Sequence, residues 1–199
     1  RRMAGQSPAP TGLDTSVYDH ANIYVDVAVV GAGLAGLAAA LSAIAAGKSV
    51  AIFERDSLPG GRTNSLPGCT IDGEKAEDWV VSAWKKLEKE SVARLRATGF
   101  GAYDHGFLTV FERPKTKLDG GRIWHVRAQK LVIATGALER PMVFPGNDRP
   151  GVMLAGAVET ALNRFAVLPG KKVVLYGNHS GMKNVRSALE RAGAEVVAE

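Results

Sequence analysis

Cysteine is almost absent from this chain of 199 residues, which carries only Cys69. A single thiol excludes an intrachain disulfide, a CxxC redox pair and a cysteine-based metal cluster. Aromatic residues are few, at 7%, and no stripe interleaves them with basic ones. A nucleic-acid face is therefore not expected, despite a net charge of +5. The basic residues are scattered (Arg1-Arg2, Lys85-Lys86, Lys115 and Lys117, Lys171-Lys172) with acids among them. Attraction to an anionic cofactor or an acidic partner would use the same charge. A long unbroken apolar run is missing too. The longest uncharged stretch, Val27 to Gly47, matches a membrane span in length, but Gly31, Gly33 and Gly36 divide it into a strand and a helix. Buried core is expected there, and no membrane partner. No Ser/His/Asp set, paired acids or metal cluster stands out, so catalytic residues stay unassigned and no metal is expected. Nothing at the N-terminus reads as a signal peptide, so a cytoplasmic setting is the default expectation. The chain does not open on methionine and ends in what reads as a strand, Val196-Val197-Ala198-Glu199. A piece of a longer protein is expected.

What is present is organised around Tyr24 to Asn64. An apolar run, Val25 to Val30, leads into Gly31-Ala32-Gly33-Leu34-Ala35-Gly36. An alanine-rich helix, Leu37 to Ala46, ends at Gly47, and a second apolar run, Ser49 to Phe53, finishes on Glu54. Strand, glycine turn, helix, strand and terminal acid form the ordered pattern of a dinucleotide-binding βαβ unit. Gly31 suits the tight turn, Gly33 leaves room for a pyrophosphate, and Gly36 lets the helix approach the sheet. The unpaired N–H groups and positive dipole end of the helix favour a diphosphate. Glu54 stands where an acid accepts hydrogen bonds from adenosine ribose hydroxyls, and it argues against a 2′-phosphate there. FAD and NAD share that adenosine half, so the choice between them stays open.

Residues 1–23 read as a linker or arm, and residues 24–167 as a first Rossmann domain holding a β insertion at about 92–127. Asp72 to Glu90 reads as an amphipathic helix with Trp79, Val80, Ala83, Trp84 and Leu87 on one face. Arg94 to Ala97, Phe107 to Glu112 and Arg122 to Val126 read as strands of a meander. His105 is expected in a turn and His125 in a strand, without an evident partner. Leu131 to Gly136 reads as a buried strand with a small-residue turn, and Val152 to Phe165 as a helix. From about Leu168 the opening pattern returns: Val173 to Tyr176, the turn Gly177-Asn178-His179-Ser180-Gly181-Met182, a helix to about Ala192, and Glu195 to Val197. This second turn is degraded, with His179 and Met182 where glycines would stand. Residues 168–199 are thus expected to begin a truncated second Rossmann domain.

The run Val132 to Pro145, followed by Asn147-Asp148-Arg149-Pro150-Gly151-Val152-Met153, resembles the α subunit of heterotetrameric sarcosine oxidase and the related α subunits of amino-acid dehydrogenases. Arg1 to Gly5, Ile71-Asp72-Gly73 with Trp79, and Tyr103-Asp104-His105 resemble segments of the same family, and so does the altered second turn. The resemblance implies an α/β fold of the two-dinucleotide-binding flavoprotein class, with the β-meander insertion and the start of a second Rossmann domain. It implies oxidation of a secondary amine such as sarcosine in concert with a β subunit, and an FMN at the subunit interface. It implies NAD, or else FAD, at the first site. The residues expected at that site are Gly31, Ala32, Gly33, Leu34, Ala35, Gly36, Glu54, Arg55, Gly61, Arg62, Thr135 and Gly136. Two other readings stay open: a self-contained FAD-dependent pyridine-nucleotide oxidoreductase, and a non-redox scaffold stiffened by its nucleotide.

Overall fold

The structure is a computed structural model and describes residues 12–13, 17–113, 119–177 and 181–198. Its first strand, β1 (Val17–Val30), is followed by α1 (Leu34–Ala45) and β2 (Val50–Phe53). A two-residue hairpin, β3 (Thr70–Ile71) and β4 (Glu74–Lys75), leads into α2 (Ala76–Glu90) and β5 (Val92–Arg94). A meander follows: β6 (Ala97–Tyr103), β7 (Phe107–Glu112) and β8 (Asp119–Ile133). The chain then runs through α3 (Ala155–Phe165), β9 (Lys172–Val174), α4 (Met182–Arg191) and β10 (Glu195–Ala198). The main sheet has six strands in the order β5-β2-β1-β8-β7-β6. The first four are parallel, and β7 and β6 add antiparallel.

Side chains alternate across the sheet with the period of two that a strand imposes. Val29 and Ile52 face α1 and α2, where Leu37, Ala40, Val80, Trp84 and Leu87 close one core. Ala28, Ala51 and Phe53 face the other way, into a core built from strands alone with Leu108, Val110, Trp124 and Val126. The sheet curls to make that second core. Its far strand β6 begins beside the end of β2, where Ala97 N–H donates to Glu54 O at 2.7 Å and Arg96 N–H to Asp56 O at 2.8 Å. A third cluster, Leu175, Met182, Val185, Leu189 and Ala194, packs against Val158 and Leu162 of α3.

Several boundaries differ from the sequence expectation. Residues 17–23, expected in the arm, belong to β1, where Val17 to Ile23 pair with Asp119 to Val126. Their polar composition hides a strand made by pairing with a segment about a hundred residues away. The two strands expected at 122–126 and 131–136 are one continuous strand, β8, because no glycine or proline interrupts Arg127 to Lys130. That strand stops at Ile133, and Ile133 is exposed rather than buried. The strand expected over Arg94 to Ala97 is broken by Arg96 at φ +57°. Val92–Arg94 therefore closes the parallel sheet on β2, and Ala97 begins the meander. The helix expected from Asp72 starts at Ala76, after the hairpin. Trp84 is buried there and Trp79 is partly buried, both in the first core. His125 does have a partner, Asn22 Oδ1 at 3.2 Å from its Nδ1. In the second unit β9 and β10 pair in parallel. His179 lies outside the described residues. No described helix is long and apolar enough to cross a membrane.

Candidate functional site: a glycine cradle at the end of the first strand

The turn after β1 is held from three sides. Gly31 N–H donates to Phe53 O at 2.8 Å, which ties the turn to the end of β2. Gly31 has φ +101°, and a β-carbon there would stand 2.3 Å from Ala134 O. Only glycine combines that backbone with that neighbour. At Gly36 a β-carbon would stand 1.9 Å from Gly31 O, so the first turn of α1 lies directly on the glycine loop. Gly33 is different. It has an ordinary extended backbone, and nothing lies within 4 Å of where its β-carbon would be. The cradle is thus packed at its first and third glycines and open at its second. The amides of Leu34, Ala35 and Gly36 form the N-terminal turn of α1, whose first intrahelical bond is Leu37 N–H to Gly33 O at 2.9 Å. Those amides lack partners within the helix and carry its positive dipole end. Leu34 and Ala35 are exposed.

Ala32 belongs to the frame. It is 0% exposed, its N–H donates to Glu54 Oε2 at 2.7 Å, and its carbonyl accepts from Gly60 N–H at 2.8 Å. Both of its backbone groups are engaged by protein. Glu54 is 7% exposed, and its other oxygen, Oε1, accepts from Asp56 N–H at 2.9 Å. The acid at the end of β2 therefore does more than the spacing implied, because it staples the glycine turn to the strand beside it. A carboxylate offers about four acceptor sites, so two backbone bonds leave capacity for hydroxyls.

The loop after β2 closes the cradle from the third side. Gly33 and Gly60 form an isolated parallel bridge, and a β-carbon on Gly61 would stand 3.1 Å from Gly33 Cα. Gly60 was not among the expected site residues, although the Gly60-Gly61 pair was a visible signal. Arg62 follows in the 3-10 turn Gly61–Ser65 and pairs through Nη2 with Glu159 Oε2 of α3 at 2.9 Å. Three more contacts dock α3 on this loop. Ser65 Oγ meets Thr160 Oγ1 at 3.1 Å, Asn163 Nδ2 donates to Ser65 O at 2.9 Å, and Arg164 holds Asp56 with two bonds of 2.6 and 2.9 Å. The Arg164 guanidinium pulls the Asp56 carboxyl down to about 2.

The other expected residues divide. Thr135 lies beside Gly31, with its amide nitrogen 3.3 Å from the position of a Gly31 β-carbon. Gly136 is exposed and free of close neighbours. Arg55 is exposed and lines a hollow of about 440 Å³ with Thr98, Phe100, Phe111 and Arg113. Among the described residues no three His, Cys, Asp or Glu side chains gather as a metal site.

A parallel sheet with a packed-open-packed glycine turn and a buried acid at the end of β2 defines a Rossmann-type α/β protein of the dinucleotide-binding flavoprotein class. The FAD dependent oxidoreductase family model matches residues 26–133, and the chain belongs to that family. Sarcosine oxidase subunit alpha of Corynebacterium sp. (strain U-96) is 39% identical over 98% of this chain and 21% of its own length. The same subunit of Rhizobium meliloti (strain 1021) is 40% identical over 100% of this chain and 21% of its own length. The chain thus spans about a fifth of these curated relatives. Among solved structures, L-proline dehydrogenase from P. horikoshii superposes with a TM-score of 0.73 at 29% identity, covering 90% of this chain and 36% of that one.

Proposed function

We propose that the chain is the dinucleotide-binding segment of a sarcosine oxidase α-like oxidoreductase subunit, supporting oxidation of a secondary amine together with partner subunits. The observation that carries this reading is the cradle: two glycines pressed against backbone, an open Gly33 between them, and the buried Glu54 bonded to the turn. The amides of Leu34, Ala35 and Gly36 bind the diphosphate, Gly61 and Arg62 flank it, and Thr135 and Gly136 line the opposite wall. Glu54 accepts the ribose hydroxyls of the adenosine half, and Arg55 stands at its outer edge. A bound flavin or nicotinamide supplies hydride chemistry, and the protein supplies position and electrostatics.

The domain division that fits this role is a nucleotide-binding body that begins with β1 and runs to about residue 167, with the beginning of a second unit over 168–199. The resemblance to sarcosine oxidase subunit alpha supports the amine class, a β-subunit partner and an FMN at their interface. Leu138 and Val143 are 88% and 97% exposed, and apolar side chains so placed suit an assembled setting.

Denaturing the purified chain and identifying the released nucleotide by absorbance and mass tests the reading. Colourless NAD is the expected product. Yellow FAD would move the chain to an electron-carrying role. No nucleotide, together with no binding of added NAD or FAD, would overturn the proposal.

A further inference from the structure

Glu159 is the one residue of α3 that is fully buried, at 4% exposure, although Val158 and Leu162 beside it are only partly covered. A buried carboxylate on a helix that leaves its apolar residues half-covered asks for an explanation. Its partner is Arg62, whose side chain is 68% exposed and uses Nη2 for the contact. The pair is therefore asymmetric, with a sequestered anion holding a solvent-facing cation. Arg62 directly follows Gly61, which lies against Gly33 at the open part of the cradle.

We infer that Glu159 is a positioning residue that fixes the Arg62 guanidinium at the rim of the glycine cradle, oriented to receive a diphosphate. This rests on the reading of that cradle as a diphosphate site. An exposed arginine otherwise samples many rotamers, and ordering it on binding opposes affinity. Anchoring one nitrogen removes most of that cost and leaves the remaining N–H donors for phosphate oxygens. The opposite possibility is that Glu159 competes with the ligand for Arg62. Burial decides against it, because withdrawing Arg62 would leave a charge inside the protein uncompensated. Arg62 thus stays on Glu159 when the ligand arrives. The other contacts of α3, Ser65 with Thr160 and Asp56 with Arg164, dock the helix on the same loop without touching the pair.

Calorimetric titration of the full chain with ADP and with adenosine separates this role from general stability. Wild type should bind both. Glu159→Gln should weaken ADP about tenfold and leave adenosine within about twofold, because only ADP carries the group that Arg62 contacts. Glu159→Asp keeps the charge and retracts Arg62 by one methylene, so it should weaken ADP several-fold even if the Gln variant folds poorly. In an Arg62→Met background neither substitution should weaken ADP further. Ser65→Ala, which loosens α3 without touching the pair, should leave ADP binding at the wild-type level. Unchanged ADP affinity in both Glu159 variants would overturn the inference, as would an equal loss for ADP and adenosine or a loss that persists without Arg62. A wild-type chain that binds neither probe would instead remove the cradle reading, and the inference with it.

Discussion

The chain builds the same strand–turn–helix–strand unit twice, and the two turns are packed by different means. In the first, backbone lies on backbone, and a β-carbon on Gly36 would meet Gly31 O at 1.9 Å. In the second, Met182 stands at the corresponding place, is 8% exposed, and presses its thioether on Gly177. A β-carbon on Gly177 would lie 2.6 Å from Met182 Sδ. Both solutions keep α4 and α1 on their strands. In the first, the helix N-terminus lies at an open glycine and a buried acid, Glu54, braces the turn. The same strand-to-helix turn can thus be packed by glycine against backbone or by a methionine side chain against glycine.

The largest effect should come from Gly36→Val. The added atoms meet backbone that cannot move without unseating β1 from α1, so a stability loss of about 3 kcal/mol is expected, near the upper end for overpacking. Urea unfolding would measure it, and a loss under 1 kcal/mol would mean that the first turn is no tighter than the second. Gly33→Val should behave in the opposite way. Its β-carbon enters open space and its backbone angles are ordinary, so stability should change by less than about 1 kcal/mol. Nucleotide affinity should fall at least about a hundredfold, which corresponds to about 2.8 kcal/mol. Normal nucleotide content in this variant would sink the assignment of the open glycine to a pyrophosphate. Next comes Met182→Ala, which empties the plug of the second turn. A loss of about 2 kcal/mol is expected, at the low end for truncating a buried methionine. Nucleotide affinity at the first cradle should not move, and a parallel drop there would show that the two turns act as one site.

The contrast between the turns was largely legible in the sequence, because it is local. Gly31, Gly33 and Gly36 sit within six residues, and the step to Glu54 is one helix and one strand. Met182 in a glycine position marked the second turn as degraded. The residues that complete the site were hidden because their contacts are long-range. Nothing near Arg62 in the chain points to Glu159, 97 residues away, and Glu159 reads as an ordinary helix-surface acid. The polar stretch from Val17 to Ile23 resembles an arm until β8 pairs with it. The acid at 54 was recognised from its register with the glycines, yet its bond to the Ala32 amide depends on how β2 lies beside β1. Local spacing encodes the cradle, while tertiary pairing decides what surrounds it.

The smallest expected effect concerns the seat of α3 on the loop below the first cradle, where Arg164 grips Asp56. The folded carboxyl titrates at about 2, below the unfolded aspartate near 3.9. Folding therefore favours the ionised form, and this stabilisation is fully present above the unfolded value. It is lost as the pH falls from about 5 toward 2, through the folded value. Asp56 keeps 37% of its side chain exposed, so solvent screening limits the contribution to about 1 kcal/mol. Arg164→Gln should accordingly lower stability by about that amount at pH 7 and by almost nothing near pH 2. Asp19 and Asp26 are also held below the usual carboxylate value, by Arg122 and by Ser49. They act in both proteins, so the difference between the two acid-unfolding curves isolates the Asp56 pair. Curves that stay parallel down to pH 2 would show that the arginine does not hold this carboxylate. Convergence below about pH 4 would identify the pair as an acid-sensitive fastener of α3 on the loop below the first cradle.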